Sequence, residues 1–164
     1  MNHNIDILHL PRYREIPNIG LYLEQTIEFI NQALAPLRDI TITSSMISNY
    51  VKHGYIERPI KKRYSAEQIA SLLFMVIAKQ VLSMENIAAM FELQKESSSD
   101  VASAYDYFCD DFEAVIKYMF ETTKEEPMPY DKSAPLEKRM LRSTIIAVSQ
   151  IIYLSHCFAD LQEP

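Results

Sequence analysis

Residues 43–87 read TSSMISNYVKHGYIERPIKKRYSAEQIASLLFMVIAKQVLSMENI, and the fold turns on this stretch. Three hydroxyl residues, Thr43, Ser65 and Ser83, each precede a run of helical periodicity, which is where a side-chain oxygen satisfies the free N–H groups of a first turn. The first helix spans 44–53, with Met46, Ile47, Tyr50 and Val51 on its inner face and Gly54 placed to close it at C′. In the second, Ile69, Leu72, Leu73, Val76 and Ile77 follow the helical period; the third covers MENIAAMFEL. Between the first and second lies YIERPIKKRY, residues 55–64, whose β-branched and aromatic residues and Pro59 predict a small extended wing or loop with crowded cations.

Working outward, residues 1–18 carry Pro11 and Pro17 and little periodicity, which predicts an ordered or semi-ordered arm rather than a continuous helix. From Asn18 the apolar positions Leu23, Ile27, Ile30, Leu34 and Leu37 define a helix face that Pro36 should close. On the other side, KESSSD (95–100) is a polar boundary. Beyond it Val101, Tyr105, Phe108, Phe112, Val115 and Met119 step by four and three residues, with Asp106, Asp110, Glu113 and Lys117 on the other side. Residues 122–135 hold three prolines and read as a loop. In the last helix a narrow polar stripe, Arg142, Ser149, Tyr153, His156 and Asp160, leaves most of the circumference apolar, so the helix needs cover on two sides. The organisation expected is an arm and helix over 1–39, a helix-turn-helix unit over 40–95, and a C-terminal helical region over 96–164 that serves dimerisation or effector binding. A homodimer through the C-terminal helices is expected.

The chain of 164 residues has only two glycines, Gly20 and Gly54, which excludes Gly-rich phosphate loops and the many tight hairpins of a β-sandwich. The class expected is all-α. Net charge is −6, against a uniformly basic coat. Its distribution is uneven: residues 43–80 hold six cations and two anions, a net of +4, while 81–131 hold three cations and twelve anions, a net of −9. Such asymmetry points to a dedicated anion-binding patch. The N-terminus lacks the charged and apolar regions of a signal peptide, and the apolar run 144–159 is interrupted by Ser149, Gln150, Ser155 and His156, so a cytoplasmic chain with no membrane span is expected. Cys109 and Cys157 read as buried, unpaired thiols of a reducing compartment. His3 and His9 in the arm have no accompanying ligand cluster, and His53 serves a helix C-terminus, so neither metal nor cofactor is expected. Asp110 and Asp111 read as a solvated acidic face, and no nucleophile with a base and an oxyanion donor can be assembled from local motifs, so no enzyme is expected.

The residues Tyr50, Gly54, Arg63, Tyr64, Ser65, Leu72, Ser83, Met84, Glu85 and Ile87, in order and spacing, resemble the DNA-binding domain of the MerR family of transcriptional regulators. The full chain, including LPRYREIPNIGLYLEQTIEFIN (10–31), also resembles the bacterial domain-of-unknown-function family eighteen thirty-six. The resemblance implies a MerR-like winged helix-turn-helix between an N-terminal helix and a C-terminal pair of long helices. It implies that Ser44, Ser45, Ser48, Asn49 and Lys52 face double-stranded DNA from the recognition helix, and that Arg58, Lys61, Lys62 and Arg63 contact phosphate from the wing. Tyr64 would support the wing or touch the DNA backbone. The function expected is a DNA-binding transcriptional regulator. The competing reading is a non-enzymatic interaction module that keeps the scaffold without DNA binding, and a third is a small apolar ligand held between the C-terminal helices.

Overall fold

The structure, a computed structural model, describes residues 4–162. All regular structure among them is helical: α1 (Leu23–Leu34), α2 (Ser44–Lys52), α3 (Ala66–Ala78), α4 (Met84–Glu96), α5 (Val101–Met119) and α6 (Leu136–Gln162), with 3₁₀ turns at Asn4–Ile7, Tyr13–Glu15 and Ala35–Leu37. Extended pairing is limited to two isolated bridges. The all-helical class is as the sequence reading has it.

α3 is the centre. Ile69, Leu72, Leu73, Met75, Val76 and Ile77 are all buried, so this helix is apolar on nearly every side and must be surrounded. α1, α5 and α6 pack around it. Its capping box is closed: Ser65 Oγ accepts from Gln68 N–H, and the Gln68 amide oxygen accepts from Ser65 N–H. α5 and α6 run in the same direction, because Asp111 pairs with Arg142 while Phe120, farther on, meets Tyr153 and His156. A parallel pair needs a long return, and the proline-rich residues 122–135 supply it.

α5 begins at Asp100, whose carboxylate accepts from the Ser103 N–H at 2.7 Å. That bond holds the Asp100 carboxyl below its usual range. Stabilisation by a carboxylate with a lowered folded value is present above the unfolded value and lost as pH falls through the folded one. The urea midpoint of the protein should therefore drop more between about pH 5 and 3 than that of Asp100→Asn, which keeps a neutral cap. Equal drops would remove Asp100 from the acid response.

Several expectations are corrected. The helix expected from Asn18 starts at Leu23, because Gly20 sits at φ +79 and Leu21 is engaged in a bridge to Tyr64. The arm is, of the two alternatives, the ordered one, and it extends the core: Ile5, Leu8, Leu10 and Ile16 are buried. The supposed acidic face of α5 is an ion-pair layer, in which Asp111 and Glu113 are buried and only Asp110 is exposed. Asp111 takes the Arg142 guanidinium, and Glu113 takes that of Arg12. The polar stripe of α6 mostly turns inward, with Ser149 and His156 buried, His156 Nδ1 lying 2.9 Å from the Ile152 carbonyl oxygen and its ring against Phe120. Cys157 is half-buried rather than buried, whereas Cys109 is buried and its thiol is pushed up to about 12, chiefly by desolvation. α6 is long and apolar enough, by length and composition, to cross a membrane; here one side of it is packed along α5.

Candidate nucleic-acid interface

α2 is short because both ends are fixed locally. Thr43 Oγ1 accepts from the Met46 N–H at 3.2 Å, and Gly54, at φ +74, makes the left-handed turn that ends it. Ile47 and Tyr50 point inward. Ser45, Ser48, Asn49 and Lys52 recur at helical spacing on the opposite face, and these four, with Ser44, are exposed. His53 caps the end as expected, with Nδ1 at 2.9 Å from the Asn49 carbonyl oxygen.

The 55–64 segment is tied to α2 through one residue, since the Tyr55 and Ile56 N–H groups both donate to the Tyr50 carbonyl. The Gln68 amide donates to the carbonyls of Glu57 (2.9 Å) and Arg58 (3.4 Å), which fixes the outgoing strand-like limb. The chain then reverses over Ile60–Arg63, where Arg63 N–H donates to the Ile60 carbonyl at 2.9 Å. The two central residues, Lys61 and Lys62, have φ of +50 and +64. Positive φ at both central positions is the signature of a two-residue hairpin turn that Asn-Gly would make at least cost, and a side chain with Cβ there costs roughly 1–2 kcal/mol per residue. Two lysines thus occupy strained backbone at the tip of the segment.

The returning limb is anchored from outside the segment. Tyr64 is buried and its backbone pairs with Leu21 in both directions, at 3.0 and 2.8 Å. The Arg63 guanidinium lies over the Tyr22 ring at 4.7 Å and donates to the Tyr22 hydroxyl and the Ile19 carbonyl. Gly20 is required here for a second reason besides its φ: a Cβ would lie 3.1 Å from Arg63 Cβ and 3.2 Å from the Tyr64 carbonyl oxygen.

Arg58, Lys61, Lys62 and Arg63 are exposed together on the 55–64 segment, and Lys52 is exposed on α2. Among the described residues Lys52, Arg58, Lys61 and Lys62 form no ion pair, unlike Arg12, Lys95, Lys117 and Arg142. Among the described residues no hydrogen bond joins the outer face of α2 to the side chains of residues 55–64; the Tyr50 carbonyl links the two backbones. Arg58, Lys61 and Arg63 also border a groove of about 940 Å³ that runs toward α4 and α5, with Phe74, Phe91 and Phe108 in its wall. Lys62 and α2 do not line it.

Among the described residues no group of three or more His, Cys, Asp or Glu side chains could hold a metal ion. His9 sits beside Glu15, at 3.0 Å, while His3 lies outside the described residues. The sequence reading missed Gly20, Tyr22 and Gln68 as supports of the 55–64 segment. Gly20 offered a signal, as one of only two glycines; the other two are recognisable only through contacts made across the fold.

The family described as "Domain of unknown function (DUF1836)" matches residues 11–108, which take in α1 to α4 and the start of α5. No curated protein and no solved structure matches the chain.

Proposed function

The chain belongs to the DUF1836 family, and from its exposed α2 face and basic turn we propose that it is a cytoplasmic, non-enzymatic DNA-binding regulator of transcription. In this reading residues 40–95 form a MerR-like winged helix-turn-helix. α2 lies in the major groove, where Asn49 reads adenine and Ser44, Ser45, Ser48 and Lys52 reach base edges or phosphates. Arg58, Lys61, Lys62 and Arg63 hold phosphates from the wing, which sets register without reading sequence.

The observation that carries this reading is the lysine pair at the turn. A hairpin tip selected for stability alone favours Asn-Gly; here both strained positions carry cations that no carboxylate neutralises. A chain of net charge −6 that concentrates unpaired cations on a rigid projection has the layout of a phosphate grip.

The test is fluorescence anisotropy of the full chain with promoter fragments, its own upstream region included, across a salt series. Saturable binding is expected, with log K falling against log salt at a slope of roughly −4 for each DNA-bound copy, the value for four or five neutralised phosphates. A second reading, an interaction module without DNA binding, is favoured by the mixed-charge groove of about 940 Å³ beside the wing. Absence of binding at about 50 mM salt would decide for it.

A further inference from the structure

We propose that the outward face of α6 docks on the same face of a second copy of the chain, the two helices antiparallel about a two-fold axis that passes between Ile152 and Tyr153. The inference stands apart from DNA binding, since it uses none of those residues.

Ala147, Ile151, Leu154, Phe158 and Leu161 are exposed and follow one another by four, three, four and three residues. Ile151, Leu154, Phe158 and Leu161 leave 46%, 47%, 60% and 79% of their surfaces in water. The stripe lies opposite the face that buries Ile145, Val148, Ile152 and His156 against the protein, so α6 is covered on one side only. With the flanking Ile146 and Tyr153 the exposed apolar surface is on the order of several hundred Å², at or above the largest patch of an ordinary monomer.

Spacing, charge and volume select the occupant. A stripe this narrow, repeating every 3.5 residues, is the pattern by which one helix meets another; the broader apolar arc of a core-facing helix is not needed. Between Ser143 and Gln162 there is no Lys or Arg and one carboxylate, Asp160. A surface helix that settles on an anionic bilayer carries cations beside its apolar face, and the part of α6 that bears the stripe, Ser143 to Gln162, carries none. An uncharged stripe meets a copy of itself without like-charge repulsion, as the isologous contact of a two-fold dimer requires. The proposed axis sets Ala147 against Phe158 and Ile151 against Leu154, small against large and like against like in volume. A parallel pair in register would oppose Phe158 to Phe158 and Ala147 to Ala147, a clash and a void.

Sedimentation equilibrium of the full chain at about 100 μM should give twice the 19.0 kDa of one copy. Ile151→Glu with Leu154→Glu, both at exposed positions, should give a single copy with unchanged helical circular dichroism. The register has its own test in a Cys157→Ser background: Ala147→Cys with Phe158→Cys should cross-link two copies under mild oxidation, and Ala147→Cys alone should cross-link several-fold less. A single copy at this concentration, or a dimer that survives both glutamates, would overturn the proposal. A single copy that floats with phosphatidylcholine vesicles would overturn it in favour of a lipid surface, and preferential cross-linking of Ala147→Cys alone would overturn the antiparallel register.

Discussion

Glu113→Ala should lower the stability of the protein by about 3–5 kcal/mol, a large part of what a domain of this size has. Glu113 is buried in α5 and accepts from the Arg12 guanidinium at 2.9 and 3.1 Å and from the Leu10 N–H at 2.6 Å. Arg12 also reaches Asp110 and the Leu10 carbonyl; its already high pKa is raised chiefly by the Glu113 bond, with the charges of Glu113 and Asp110 adding to it and desolvation opposing. Removing the carboxylate leaves a mostly buried guanidinium short of its main acceptor and a buried amide with none. The loss spreads because the same residues dock the arm, whose Ile5, Leu8, Leu10 and Ile16 fill the core beside α5. Glu113→Gln keeps an acceptor for Leu10 and should lose less. Urea unfolding measures both, and limited proteolysis should show cleavage after Arg12 or Arg14 rising in step. A loss under about 1 kcal/mol for Glu113→Ala would mean that the arm is held by its apolar contacts alone.

The same cluster shows where the sequence stops being informative. Thr43, Ser65 and Ser83 announce their helices because a cap is a bond between residues three apart, and all three make it. Arg12 and Glu113 are separated by 101 residues, so nothing local marks them as partners, and an acidic helix face with no visible counter-ion reads as solvated. α6 is a related case. Periodicity sorts its residues into faces without saying which face is inside; the inward side buries Ile145, Val148 and Ile152 together with Ser149 and His156, and Arg142 meets an Asp111 that lies 31 residues away in the chain. In the 55–64 segment the cations were legible as a cluster, but not the φ of Lys61 and Lys62, since two lysines are a poor signature for the turn they make. Where local preference and observed conformation conflict in this way, a functional reason is the reading to test.

Lys61→Asn with Lys62→Gly tests it with two effects of opposite sign. Asn and Gly adopt positive φ with little strain, so the variant should be relieved of about 2–4 kcal/mol of strain at the two positions, less roughly 0.5–1 kcal/mol for the greater freedom of glycine in the unfolded chain. DNA affinity should fall about tenfold or more, and the salt slope should become shallower by roughly 1.8, the share of two phosphate contacts. Asn49→Ala should behave differently, leaving the slope unchanged while narrowing the gap between preferred and random DNA by about 1–3 kcal/mol. The contrast matters because a merely misfolded variant would lose stability and binding together. A gain in stability with DNA binding intact would leave the lysines without a role at the phosphates; a gain in stability with binding and salt slope both reduced would mean that the strain at the tip is kept for the charge it presents.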